Sequence, residues 1–203
     1  MTILYEITLD LDWRESEIAA MRILLRSQGV TAKQEKALLR AAWAMLYAHY
    51  EGFTKNCLTL FFDEITRRSV PCSSLPRLTR AFALGSAIGH IRTMPTVDAI
   101  DEVSNFSQHL TAIPAFPDVD AKNNLWPFVL KDLLSSADLS TVVVEKHFNK
   151  LKTLVARRNS IAHGEANMID EYSYYKGYED AVYEVMYDLA FQVETRLGIE
   201  PYM

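Results

Sequence analysis

Apolar residues recur every three or four positions along most of the chain, and strict apolar/polar alternation is nearly absent. That pattern predicts helices rather than strands. The clearest stripe is Leu39, Ala42, Leu46, Tyr50, Phe53, Cys57 and Leu60, one face of a long helix. Thr31 with Gln34 three positions on gives this helix a capping-box start. The proline- and serine-rich stretch RRSVPCSSLP predicts its end. A shorter helix is predicted ahead of it over RESEIAAMRILLRSQG, stopping at Gly29. Beyond it, LPRLTRAFALGSAIGHIRTMP reads as one helix bounded by prolines, and TVDAIDEVSNFSQHL as a short polar segment. The proline-rich AIPAFPDVDAKNNLWP reads as a loop and FVLKDLLSSA as a short helix. Two further helices are predicted, one from about Val143 and a last one running to Gly198. The fold class is therefore all-α: a helical bundle, one domain over 1–203, with a loop-rich insertion over 68–142 between its halves.

One stripe breaks its own rule. Val144, Phe148, Leu151 and Val155 follow helical spacing, and the next position on that face is Arg158. A buried charge without a partner is costly, so Arg158 is expected to meet a carboxylate or a phosphate. Glu51, on the long helix, is one candidate holder for it, and Glu51 also pairs with Lys55 one turn on. Asn159 and His163 are four apart and share a face, whereas Arg158 and His163 are five apart and diverge by about 140°. Gly164 is a candidate C-cap, which puts His163 in the last turn, where the carbonyl end of the helix favours an imidazolium and titration near neutral pH.

Composition narrows the partners. The chain has 203 residues, of which 49% are apolar and 23% charged, as expected of a globular protein. A net charge of −5 argues against a general nucleic-acid coat. The run KHFNKLKTLVARR nevertheless carries five basic residues and no acidic one, including Lys152, Arg157 and Arg158. It is either a solvated helix face or a patch for a short anionic substrate. Cys57 and Cys72 have no metal spacing and are expected as reduced thiols. No aspartate cluster or histidine pair with metal spacing occurs, so no metal or other cofactor is expected. His49, His90, His109 and His147 are scattered and read as structural or surface groups. The tyrosines of YSYY, 172–175, either pack on the long helix or stack on bases. No apolar run approaches the roughly 20 residues of a membrane span, the nearest, AAWAMLYAHYEGF, being interrupted by His49 and Glu51. The N-terminus lacks the features of a signal peptide, and the expected location is cytoplasmic.

The stretch RRNSIAHGE resembles the signature of HEPN domains, an arginine followed after four to six residues by histidine, often with a polar residue after the arginine. Arg158, Asn159 and His163 match it with four residues between, and Arg157 matches with five. WAMLYAHYEGFTK is similar to the aromatic second helix of the RiboL-PSP-type group of HEPN domains, and it stands in the right order relative to the motif. The resemblance implies a bundle that dimerises through its motif helix, so that two copies of the motif share one cleft. It further implies a metal-independent endoribonuclease of a toxin or phage-defence system. RNA, tRNA loops included, would be cut by attack of the 2′-hydroxyl, leaving a 2′,3′-cyclic phosphate. Arg158, Asn159 and His163 would be catalytic, supported by Arg157, Lys152, Glu51 and Lys55. An antitoxin or defence partner protein is a further implied companion. A non-catalytic HEPN module that dimerises and binds RNA or protein is the alternative. Some family members carry a tyrosine two residues after the histidine, where a partner nucleotidyltransferase modifies them; Glu165 stands there in this chain.

Overall fold

The computed structural model describes residues 2–166 and 171–203. Its first helix, α1 (Ile3–Leu25), starts earlier and ends earlier than the sequence pattern indicates. Thr2 caps it by accepting the Tyr5 amide at 3.4 Å. Leu9, Leu11 and Trp13 mimic strand alternation, but only Leu11 is buried; Ile7, Leu11, Ile18 and Leu25 carry the core face. Gly29 lies beyond the helix in a turn with φ +86°. The long helix α2 (Ala32–Arg67) has the predicted capping box at Thr31 and Gln34, and its predicted stripe is buried except for Leu60, which is half-buried. At 36 residues it spans about 54 Å at 1.5 Å per residue, long enough for several helices to pack along it.

After a 3₁₀ turn at Cys72–Ser74 come α3 (Arg77–Ala83) and α4 (Gly85–Ile91). They replace the single helix expected there: buried Leu84, with ψ −1°, closes α3 and opens α4. The segment expected as short and polar forms α5 (Thr96–Ser104) and α6 (Ser107–Thr111). Residues 113–121 form no helix, as their prolines predict. The chain then continues into α7 (Pro127–Ser136), with proline at its first position.

The motif helix is also divided, into α8 (Val142–Lys146) and α9 (Phe148–Ala162). His147 sits at the bend with φ −102° and ψ 10°. Its Nε2 is 2.7 Å from Glu184 of the last helix, α10 (Tyr172–Leu197), and that contact fixes the bend. α2 packs against α1, α9 and α10, with α9 also touching α7 and α10. Among the described residues all regular structure is helical. Leu75, Ala83, Leu84, Val119, Leu125, Val129 and Leu130, all from the expected insertion, join the same apolar core as α2.

Two polar clusters stitch α1 to its neighbours. Buried Arg14 pairs with Asp10 at 3.1 Å and packs closely on Gly52, where an added Cβ would lie 2.9 Å from Arg14 Nη1. On the other side, Arg22 and Lys176 both bond to Oε1 of the fully buried Glu179.

Candidate functional site

α9 lies along α2 so that its two adjacent arginines meet two aromatic rings one helical turn apart. The Arg158 guanidinium carbon is 4.5 Å from the ring centre of Tyr47. That of Arg157 is 5.0 Å from Trp43 and 5.0 Å from Tyr174. Neighbouring residues on a helix diverge by about 100°, so the pair can face α2 only by splaying to either side of it. Each such contact contributes about 0.5–2 kcal/mol, more as water is excluded. Trp43 and Tyr47 are fully buried, and α2 therefore supplies a rigid aromatic floor.

The expected acidic holder of Arg158 is corrected by the structure. Among the described residues no carboxylate lies within ion-pair distance of it. Arg158 Nη1 donates instead to two amide oxygens, Oδ1 of Asn124 and Oδ1 of Asn159, both at 2.9 Å. Glu51 turns to Tyr47: burial first, and then Glu51, push the Tyr47 hydroxyl above the usual tyrosine range. A neutral holder suits the arginine because it satisfies donors without cancelling the charge. Nη1 has two N–H groups and both are used, while Nε and Nη2 carry no hydrogen bond to a described residue. That leaves open one of the two edges from which a guanidinium grips a planar oxyanion with parallel hydrogen bonds.

Asn124 is the residue that the sequence pattern missed. It comes from the loop before α7 and is placed by a tight turn, with Lys122 at φ 49°, Asn123 at φ 72°, and the Lys122 amide donating to Asp120 Oδ1 at 2.8 Å. Left-handed residues other than glycine cost on the order of 1 kcal/mol each and persist only where their surroundings hold them. Here the hold is Tyr47, whose hydroxyl accepts the Leu125 amide at 2.9 Å and lies 3.4 Å from Asn124 Oδ1. The signal was present in DAKNN, a run of turn formers, but a turn motif does not say what it touches.

A cleft of about 530 Å³ opens beside this arrangement, lined by Tyr47, Ala48, Glu51, Lys55, Arg158 and Ala162 among others. Arg158, Glu51 and Lys55 are thus brought together. His163 follows directly on Ala162, exposed at the C-cap of α9, with its amide donating to the Asn159 carbonyl at 2.9 Å. Gly164, at φ +75°, ends the helix as expected. Lys152 is exposed on α9 and is not among the cleft residues. Its neighbours in the basic run are tied to α10, Lys146 to Glu184 and Lys150 Nζ to the Gly177 carbonyl at 2.9 Å.

Of the tyrosines in 172–175, Tyr175 packs edge-on against Trp43 with centroids 5.9 Å apart, while Tyr174 is 44% exposed over Arg157. His49, His109 and His147 each face a glutamate, and His90 is exposed. Cys57 and Cys72 are free and buried. Among the described residues no three His, Cys, Asp or Glu side chains come together as a metal-ligand set.

An arginine, a polar residue beside it and a histidine at the helix stop, set against an aromatic long helix, is an arrangement that can be compared with known families. The chain matches the MAE_28990-like HEPN family over residues 3–202. It belongs to the HEPN family. No curated protein and no solved structure matches it. HEPN domains are all-α and are often ribonucleases of toxin or defence systems. The match runs through the middle of the chain, so the loop bearing Asn124 lies within the HEPN region. No helix among the described residues is long and apolar enough to cross a membrane.

Proposed function

We propose that this HEPN protein is an endoribonuclease of a toxin or phage-defence system, with Arg158, Asn159 and His163 as its catalytic set. The observation that carries the reading is Arg158 in the lining of the cleft, with no hydrogen bond from Nε or Nη2 to a described residue, five residues before an exposed histidine. In the reaction the ribose 2′-oxygen forms a bond to the adjacent phosphorus as the bond to the 5′-oxygen breaks. His163 takes the 2′-hydroxyl proton or supplies one to the leaving oxygen. Arg158 holds the phosphorane oxygens through its free edge. Asn159, which accepts one Arg158 Nη1 hydrogen, helps position the phosphate or the histidine, and Arg157, Lys55 and Lys152 add positive charge around the site. The products are a 2′,3′-cyclic phosphate and a 5′-hydroxyl. The five-residue offset of Arg158 and His163 is resolved in a homodimer, where the motif helices of two copies line a shared cleft and one copy's arginine works beside the other's histidine.

Cleavage of RNA, with tRNA as the first substrate to try, continues in EDTA and stops when the ribose at the cut site is 2′-deoxy. Loss of activity on chelation, or equal cutting of DNA, would overturn the mechanism. The net charge of −5, together with lysines of the basic run tied to α10, favours a second reading in which the protein binds RNA or a partner protein without cutting.

A further inference from the structure

Among the described residues, Arg158 is hydrogen-bonded at one end only. Its Nη1 hydrogens go to Asn124 and Asn159, both at 2.9 Å, and its flat face rests on Tyr47 at 4.5 Å. Asn159 is its neighbour on the same helix and moves with it, so it cannot fix the arginine relative to α2. The Asn124 bond ties the guanidinium to a different part of the fold. That part is anchored in turn: the amide of Leu125, a core residue, donates to the Tyr47 hydroxyl at 2.9 Å, and Trp126 N donates to the Asn124 carbonyl at 2.8 Å. The left-handed Lys122 and Asn123 form the turn that delivers Asn124 to this point. Without that tie an arginine on a ring face is free to slide and rotate, because a ring's attraction for a cation has little directional preference in its own plane.

We infer that Asn124, supplied by the loop between α6 and α7, is a positioning residue that locks the Arg158 guanidinium with its Nε–Nη2 edge toward the cleft. The loop is thereby a working part of the phosphate-binding site. This inference rests on the endoribonuclease reading for its kinetic consequence but not for its geometry, and the test separates the two. An amide oxygen is the acceptor that does this without neutralising the arginine, and a carboxylate in its place would compete with the phosphate.

The experiment compares full-length wild type, Asn124→Ala and Asn124→Asp in three readouts. These are the guanidinium NMR signals of Arg158, assigned with Arg158→Lys, the kcat and KM for cleavage of bulk tRNA, and the melting temperature. Wild type should show slowed rotation of the Arg158 Nη groups. Asn124→Ala should lose it and lower kcat by about 10- to 100-fold with KM little changed, the scale for a misaimed group. Asn124→Asp should keep the slowed rotation and fold at least as stably, yet raise KM. If Asn124→Ala leaves both the Arg158 signals and kcat as in wild type, the inference is overturned. If both variants only lower the melting temperature and change kcat and KM in parallel, Asn124 is structural and the inference also falls. If wild type cuts no tRNA, the endoribonuclease reading fails first. Unchanged Arg158 signals in Asn124→Ala would then refute the lock, and mobile ones would uphold it.

Discussion

Arg158 and His49 show how one residue type takes its character from what surrounds it. Arg158 stands where helical spacing calls for a hydrophobe, and the irregularity was visible in the sequence because a cation on a core-facing position requires an explanation; in the structure it is half-buried. Its partner was not visible, since Asn124 is 34 residues away and only the folded chain brings it near. His49 reads in sequence as an interruption of an apolar run. In the structure it is 2% exposed, edge-on to Trp13, with Nε2 3.0 Å from Glu17 but poorly aligned for a hydrogen bond. Burial pushes its imidazole below the usual range; Glu17 and Asp10 oppose this and Arg14 adds to it. The unfolded chain therefore binds more protons than the folded one as pH falls through the unfolded value of about 6.5. Stability attributable to His49 is complete above that value and is lost below it. Urea unfolding at about pH 7.5 and about pH 5.5 should show a smaller drop for His49→Phe than for wild type, a difference that cancels the other histidines. Equal drops would show that His49 does not titrate against folding.

At the scale of elements, α2, α7 and α10 were legible, whereas the start of α1 and the divisions of the middle and motif helices were not. α2 and α10 match their patterns because each carries several turns of core residues, which average out single exceptions. The divisions at Leu84 and His147 were hidden because an apolar stripe runs through both, and the chain bends there for tertiary reasons, a buried leucine in one case and a contact with Glu184 in the other. The stop of α9 was legible because glycine has a physical reason to be there. Gly164 sits at φ +75°, and a methyl group added to its Cα would meet nothing within 4 Å, so the constraint is conformational rather than steric. Gly164→Ala should cost about 1 kcal/mol of stability through the left-handed backbone alone. Because His163 is the residue immediately before it, the substitution should also slow cleavage. An alanine variant as stable as wild type would mean that the turn relaxes without cost.

For the whole molecule, family membership accounts for the bundle, and the local contacts account for why Arg158 keeps Nε and Nη2 unbonded to any described residue at the cleft. The shared-cleft arrangement predicts a dimer by sedimentation at micromolar concentration; an active monomer would rule it out. A toxin or defence role predicts that cells expressing the wild type grow poorly. The most direct test of the account is single-turnover cleavage of RNA by wild type and His163→Ala, with binding measured alongside. The account predicts that the variant binds RNA nearly as well as wild type and loses at least about 100-fold in rate, the usual scale for a missing general acid–base group. A His163→Ala protein that cleaves at the wild-type rate would contradict it, and the motif would then be a helix stop in a binding module.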